Sequence, residues 1–244
     1  FCGHKHRSAI SERNLWQGAF TCLEVPALQN TATDPGHENG WCSCDGYTEK
    51  VPRQMASLTA AMRHDGGEFY LMKVYARRIV IERWNAVVGE KIASDWVIPL
   101  PAKGQVSFEA RKSRSKPPAF APNARIDVSR RGGKDRKGVT NDQYVVTFPR
   151  AVSDDAHARG YDYRVTAELV KHDWSRTACE KWVYSEKYYL PERLDTNDVF
   201  CVFSKFEIPG RPFENVRFVV TPYTAFQVPG AAITSEWTKA EFGK

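Results

Sequence analysis

The sequence lacks long apolar runs, and no stretch reaches the 18 or so residues that a membrane-spanning helix needs. It shows no signal peptide. Because it begins at Phe1 rather than at Met, we expect that a preceding segment was removed. Cysteine is scarce, with 6 residues among 244, too few for a fold built on disulfide bonds. These absences argue against a membrane-spanning protein and against a small disulfide-rich scaffold.

Several catalytic motifs are missing as well. The chain has no Gly-x-Ser-x-Gly nucleophile elbow and no glycine-rich loop between a strand and a helix. The segment Gly132-Gly133-Lys134 stands among basic residues in a stretch typical of a turn. Nothing in the sequence therefore marks a serine hydrolase or a phosphate-binding loop.

The composition is that of a folded β protein. Hydrophobic residues make up 42% and charged residues 26%, which is a globular balance rather than a disordered one. The 16 glycines and 14 prolines are spread along the chain, as expected for many short strands joined by turns.

The first half contains one clear hairpin. Residues 68–75 and 78–84 are both rich in β-branched and aromatic side chains, which favours two paired strands. A further strand is predicted over residues 95–101. Residues 51–63 are ambiguous, because Met55, Leu58 and Met62 have the spacing of a short helix.

The second half alternates strands and turns. Apolar residues occupy every second position from Tyr161 to Leu169, the period of a half-buried strand. Five other strands are predicted at residues 144–148, 181–184, 199–203, 216–220 and 232–234. Such a series indicates a β-sandwich over residues 123–244, joined to the first half by a linker at residues 102–122.

A basic stretch from Arg111 to Lys137 contributes to the net charge of +6. A nucleic-acid site is one interpretation. A solvated linker followed by a strand-edge loop is the interpretation we prefer, because aromatic residues are scarce there and no nucleic-acid motif frames the charges.

Residues Gly3-His4-Lys5-His6 are the sharpest chemical feature. Neutral imidazole is the commonest protein ligand of catalytic divalent metals, and a glycine beside the pair allows a close approach of the backbone. Alone, the motif is weak, because an exposed pair near a chain end has the same pattern.

The sequence around this motif resembles the C-terminal part of a calcineurin-like metallophosphoesterase domain. The match consists of Phe1 to His6 with its Gly-His-x-His motif, the following Trp16-Gln17-Gly18 and strand, the hairpin at residues 69–84 and the closing strand at residues 95–100. The resemblance covers residues 1–101. Residues 123–244 resemble a fibronectin type III or immunoglobulin-like domain, in which Tyr144 or Phe148 takes the place of the usual core tryptophan.

The resemblance implies a mainly β fold: the C-terminal strands of a metallophosphoesterase α/β sandwich, followed by an immunoglobulin-like β-sandwich. It implies that His4 and His6 each bind one of two divalent ions (Mn, Fe or Zn) in an enzyme that hydrolyses phosphate mono- or diesters. It assigns no catalytic side chain in this chain.

The family's other ligands come from upstream Asp-x-His, Gly-Asp-x-x-Asp and Gly-Asn-His-Glu/Asp motifs, and this chain has none of them. We therefore expect a fragment that is inactive alone, whose partners are a phosphate ester and the missing N-terminal portion. We also expect exposed apolar edges where that portion would pack. Analogy with enzymes that carry such sandwiches favours a secreted or periplasmic location.

Weaker candidates remain. Cys42 and Cys44, near His37, could bind zinc, form a loop disulfide or be ordinary thiols, although Cys-x-Cys is not the usual zinc spacing. His64 is interpreted as a turn residue, and His157 and His172 as surface residues. Cys22 and Cys201 lie in apolar runs and are interpreted as small buried hydrophobic residues.

The alternative function is a non-catalytic β-sandwich module that binds carbohydrate or protein. Trp182, Tyr188 and Tyr189 could then form a binding face. Aromatic packing within the core or between strands explains the same residues more simply.

Overall fold

The computed structural model of this chain describes residues 7–26, 67–86, 89–101, 105–134, 139–152, 162–171, 174–184, 198–208 and 215–240. Across these ranges the protein is mainly β, as predicted, and its strands form antiparallel sheets. No helix in this part of the chain is long and apolar enough to cross a membrane. The ambiguous segment 51–63 lies outside the described residues.

A three-stranded antiparallel sheet organises the first half. Its strands are β3 (Glu68–Tyr75), β4 (Arg78–Asn85) and β5 (Glu90–Pro99), paired in that order. The predicted hairpin is confirmed, and its turn contains only Ala76 and Arg77. Strand β5 begins five residues before the predicted start at Asp95, because Gly89, at φ +66°, completes the turn from β4.

One face of this sheet packs on a small hairpin, formed by β1 (Leu15–Gln17) and β2 (Thr21–Leu23). A single-turn 3₁₀-helix, Glu12–Asn14, precedes β1. Leu15 and Leu23 are buried with Ile81, Trp96 and Ile98 from the sheet. The alternation of β4 and β5 thus directs their apolar residues toward the hairpin.

Two further sheets form the second half. Their strands are β6 (Asp127–Lys134), β7 (Thr140–Pro149), β8 (Asp162–Lys171), β9 (Trp174–Tyr184), β10 (Asp198–Ser204), β11 (Asn215–Tyr223), β12 (Ile233–Thr234) and β13 (Thr238–Lys239). One sheet has the order β10-β7-β6. The other has the order β12-β11-β8-β9, and β13 also pairs with β11. All of these pairings are antiparallel.

The two sheets share one core, which gives the second half the form of a sandwich. The predicted alternation in β8 is confirmed, because its four inward apolar residues, from Tyr163 to Leu169, are completely buried. Tyr144 and Phe148 of β7 are also buried, and their rings contact the opposite sheet 5.6 Å from Phe218 and 5.0 Å from Tyr163. The packing is thus between aromatic side chains of both sheets.

Three details differ from the sequence interpretation. Cys201 is buried in the core as expected, but Cys22 is only half-buried, because β2 is a three-residue strand at the surface. The strand predicted at residues 232–234 is present as β12, but a second short strand, β13, follows it, and the two pair separately with β11. Residues 132–134 form the end of β6 rather than a turn.

Residues 105–122 contain a short helix, α1 (Phe108–Lys112). Its first turn is capped by Ser107, whose Oγ accepts a hydrogen bond of 3.2 Å from the backbone N–H of Ala110. Farther along, the backbone carbonyl of Pro118 lies so close to Gly230 that it leaves no room for a Cβ at that position. This part of the chain is therefore packed against both halves.

We expect Phe203→Ala to lower the free energy of unfolding by about 3 to 5 kcal/mol, because it leaves a cavity in the sandwich core. Phe203 is 0% exposed and contacts Phe218 at 5.3 Å. Phe200, on the same strand but 52% exposed, is the matched control. Chemical denaturation should show that Phe200→Ala changes stability by less than about 1 kcal/mol. Equal losses would contradict the assignment of the inner face of β10.

Candidate functional site

The described residues begin directly after the predicted metal ligands. His4 and His6 lie outside them, as do His37, His64, His157, His172, Cys42 and Cys44. None of these candidates is therefore placed by the structure. The described part of this region begins at Arg7, directly after the Gly-His-x-His motif.

The residues that follow the motif are held by Glu68 at the start of β3. Its carboxylate accepts hydrogen bonds from the Ser8 hydroxyl, at 3.0 Å, and from the backbone N–H of Ala9. Ser8 is 2% exposed, and Ala9 and Glu68 are both 0% exposed. The chain is thus fixed in position two residues after His6.

Burial is the largest influence on Glu68 and raises its pKa to about 7. The two hydrogen bonds and the positive charge of Arg83 act in the opposite direction and favour the carboxylate. Tyr70 and Glu12 lie in the same polar cluster, and burial also raises the pKa of the Tyr70 hydroxyl. Glu68 is therefore a carboxyl group that changes charge near neutral pH inside the protein.

The second anchor is the buried carboxylate of Glu12. Arg83 Nη1 lies 2.8 Å from Glu12 Oε1, and Arg111 Nη1 is paired with Oε2. The indole N–H of Trp96 donates to the same Oε2 at 2.7 Å. Two cations and one neutral donor thus surround one anion, which is the condition under which buried charges are tolerated.

Arg83 extends this network to the segment after the motif. Its Nη1 donates to the carbonyls of Ala9 and Ile10, at 3.4 and 3.3 Å. Its guanidinium lies over the Trp96 ring, 4.4 Å from the centroid. Arg83 lies on the same face of β4 as Ile79 and Ile81. A charged residue on this otherwise apolar face indicates a buried charge, and the sequence analysis did not use that signal.

Arg111 belongs to the stretch interpreted from sequence as solvated, and for this residue that interpretation is wrong. It donates to the carbonyls of Glu12 and Leu15, at 2.9 and 2.6 Å, and to that of Val106, at 3.0 Å. It is 8% exposed. Helix α1 projects the side chain of Arg111 into the first half, a placement that no local pattern predicts.

The polar network lies beside a contact between the two halves. Ala9, Ile10, Ile92 and Ala93 pack with Tyr184 of β9 and with Ala225. The ring of Phe226 lies 5.4 Å from Phe108 and 5.5 Å from the guanidinium of Arg111. The second half therefore contacts the same short segment that Glu68 and Arg83 hold.

Three other basic residues of the stretch lie on strand β6. Arg130 lies over the Tyr144 ring at 5.2 Å and donates to the carbonyl of Lys239. Arg131 and Lys134 are exposed on β6, the edge strand of its sheet. Charged residues are a common means of protecting an exposed sheet edge from further pairing. This explains the charges without a nucleic-acid partner.

Of the three residues suggested as an aromatic binding face in the second half, only Trp182 is described, and it is engaged in packing. Trp182 is half-buried, and its ring lies 4.9 Å from Tyr223, over which the guanidinium of Arg164 lies at 5.7 Å. Tyr188 and Tyr189 lie outside the described residues. The cross-strand interpretation accounts for Trp182.

Among the residues that the structure describes, no group of three or more His, Cys, Asp or Glu side chains is placed to hold a metal ion. No protein-family model, curated protein or solved structure matches the chain. The functional interpretation therefore depends on the motif at residues 3–6 and on the geometry directly after it.

We expect the stability of the protein to fall as the pH rises through about 7, in part because of Glu68. Its pKa is raised from 4.5 to about 7 on folding, so the folded state retains a proton that the unfolded state releases. The contribution is complete below pH 4.5, declines as the pH rises from 4.5 to about 7, and is gone above the folded-state pKa. Glu68→Gln keeps a neutral side chain of the same shape, so its stability relative to the native protein should rise between pH 5 and 8.5 by roughly 1 to 3 kcal/mol.

Denaturant unfolding at several pH values measures this difference. Glu90→Gln, at the exposed start of β5, is the control for removing one negative charge. If the difference between Glu68→Gln and the native protein did not change with pH, Glu68 would not be the buried group that ionises.

We expect Arg111→Met to lower the free energy of unfolding by about 3 to 5 kcal/mol, because it removes one partner of a buried ion pair and leaves three carbonyls without a donor. Arg114→Met is the matched control, since Arg114 is exposed and its side chain donates a hydrogen bond to the carbonyl of Gln105 at the surface. Thermal and chemical denaturation measure both. A small loss in both variants would show that the Glu12 network does not hold α1 in place.

Proposed function

We propose that this chain is the C-terminal part of a calcineurin-like metallophosphoesterase and that His4 and His6 are two of its metal ligands. The parent enzyme hydrolyses phosphate mono- or diesters. The immunoglobulin-like second half is an accessory domain that supports the first half.

One observation carries the proposal beyond the motif. The segment directly after Gly3-His4-Lys5-His6 is buried and held by hydrogen bonds from Ser8 and Ala9 to Glu68 and from Arg83 to Ala9 and Ile10. Metal ligands act only when their supporting residues fix them within a fraction of an ångström. A frayed chain end would have no need of such an anchor so close to the motif.

The ligand set within this chain is incomplete. Imidazole nitrogens suit Mn, Fe and Zn, but two histidines are too few for a centre of two ions. In such a centre the ions polarise the phosphate oxygens and lower the pKa of a bound water. The remaining ligands must come from outside this chain, so the chain alone should not turn over substrate.

The alternative function, a sandwich that binds carbohydrate or protein, has weaker support. Trp182 contributes to packing against Tyr223, and Arg164 covers the Tyr223 ring. The described part of the suggested binding face is therefore accounted for by contacts within the protein.

The proposal predicts the sequence encoded upstream of Phe1. It should contain Asp-x-His, Gly-Asp-x-x-Asp and Gly-Asn-His-Glu/Asp motifs in that order. A protein extended to include them should hydrolyse p-nitrophenyl phosphate or its diester with Mn²⁺, and His4→Ala or His6→Ala should each lower kcat/KM by more than about 100-fold, because even residues behind metal ligands contribute 10- to 100-fold.

His172→Ala in the second half is the matched control and should leave kcat/KM unchanged. The 244-residue chain alone should show no metal-dependent hydrolysis. Absence of the upstream motifs, or turnover by the chain alone, would contradict the proposal in its present form.

A further inference from the structure

A short loop directly after β11, residues 224–228, reaches from the second half to the first. Its Phe226 lies 5.4 Å from Phe108 and 5.5 Å from the guanidinium of Arg111, which pairs with Glu12. Its Ala225 packs against the apolar cluster of Ala9, Ile10, Ile92, Ala93 and Tyr184. The loop therefore lies against the segment that follows the Gly-His-x-His motif and against the arginine that fixes the end of that segment.

Hydrogen bonds within the loop determine its shape. Thr224 Oγ1 accepts from the backbone N–H groups of Phe226 and Val228, both at 3.2 Å, and the Thr224 N–H donates to the carbonyl of Val228 at 3.0 Å. The Gly230 N–H then donates to the carbonyl of Pro222 at 2.8 Å, which returns the chain to the end of β11. Bonds of the first kind, from a threonine side chain to nearby backbone, are typical of turns. The loop is therefore preorganised before it meets the first half.

Gln227 shows that this conformation is imposed. Its φ is +60°, in the left-handed region that side chains of its kind rarely adopt. Its Nε2 donates to Asp162 Oδ2 at 3.2 Å, and Asp162 is 1% exposed at the start of β8. Residues in such conformations persist only when the surrounding structure imposes them, and they cluster at functional contacts. The outlier therefore points to a specific role for the loop.

Two routes connect the loop to the segment after the motif. The apolar route passes through the cluster, in which Ala9 is 0% and Ile10 is 5% exposed. The polar route passes through Arg111, whose guanidinium contacts the Phe226 ring and donates to the backbone carbonyl of Glu12 at 2.9 Å. Both routes end within six residues of the motif.

We propose that residues 224–228 are a positioning element through which the second half holds residues 8–12 of the first half in place. No residue of the loop belongs to the sandwich core, so release of the loop frees the segment and leaves the second half folded. Coupling between two sites is reciprocal, so an ordered segment in turn favours docking of the loop. The consequence for metal binding rests on the proposed function, because His6 is only two residues before Ser8.

Hydrogen exchange of backbone amides in the 244-residue chain tests the proposal. The amides of Ala9 and Ser11 donate to Glu68 and to the carbonyl of Ser8, so their exchange reports opening of the segment. The amide of Phe218, which is hydrogen-bonded inside the second half, is the internal reference for opening of the sandwich.

Two substitutions release the loop in different ways. Phe226→Ala removes the ring that contacts Phe108 and Arg111, and Ala225→Asp introduces a charge into the apolar contact. Each should raise the exchange rates of the two reporter amides by about 10-fold or more, and each should leave the reference amide unchanged. Phe226→Tyr keeps the aromatic ring and should restore the native rates.

Phe206→Ala is the matched control. Phe206 is 61% exposed in the turn after β10, so this substitution removes an aromatic ring from the second half without touching the loop. Native rates at both reporter amides in Phe226→Ala and Ala225→Asp would overturn the proposal. So would an equal rise at the Phe218 amide, because the loosening would then be global. No metal or phosphate ester enters these measurements, so failure of this coupling and failure of the phosphoesterase proposal are separate outcomes.

Discussion

The structure of the described first half depends on the ion pairs and the hydrogen bond that stabilise one buried anion, the carboxylate of Glu12. Arg83 of β4, Arg111 of α1 and the Trp96 indole of β5 all converge on its carboxylate. A carboxylate out of water is tolerated only with such partners, and Arg83 and Arg111 would in turn lose an ion-pair partner without it. The network therefore requires three segments that are far apart in sequence to be present together. It specifies one arrangement of the 3₁₀-helix, the sheet and α1, where apolar packing alone would allow several.

Because of this network, the segment between the two halves is held against both of them. Arg111 projects from α1 into the first half, while Phe108 beside it contacts Phe226 of the second. The contact of Tyr184 with Ala9 and Ile10 adds apolar burial at the same place. Both halves consequently support the segment that leaves the Gly-His-x-His motif, which is why an accessory domain is a more economical interpretation of the second half than an independent binding module.

The three-stranded sheet of the first half is bound to the segment after the motif at one end and is exposed at the other. At one end Glu68 and Arg83 bind the segment after the motif. At the other end β3 presents the exposed apolar side chains of Leu71, Met72, Val74 and Tyr75. Exposed apolar edges were expected from the resemblance to a larger domain, and their position on β3 follows from the order β3-β4-β5.

Local patterns were sufficient for most strands. The period of two in β8 and the β-branched residues of β3 and β4 placed these elements correctly, because each side chain reports which face of its own strand is buried. They were insufficient for Glu12, Glu68 and Arg111, because no local pattern indicated that these charged side chains are buried. Whether a charged residue is buried depends on its partners, and here important partners are distant in sequence: Ala9 lies 59 positions from Glu68, and Arg111 lies 99 positions from Glu12. The sequence by itself determined the β class, the hairpin and the motif at residues 3–6, whereas only the tertiary structure decided which charges are buried, because that depends on contacts that no local window contains.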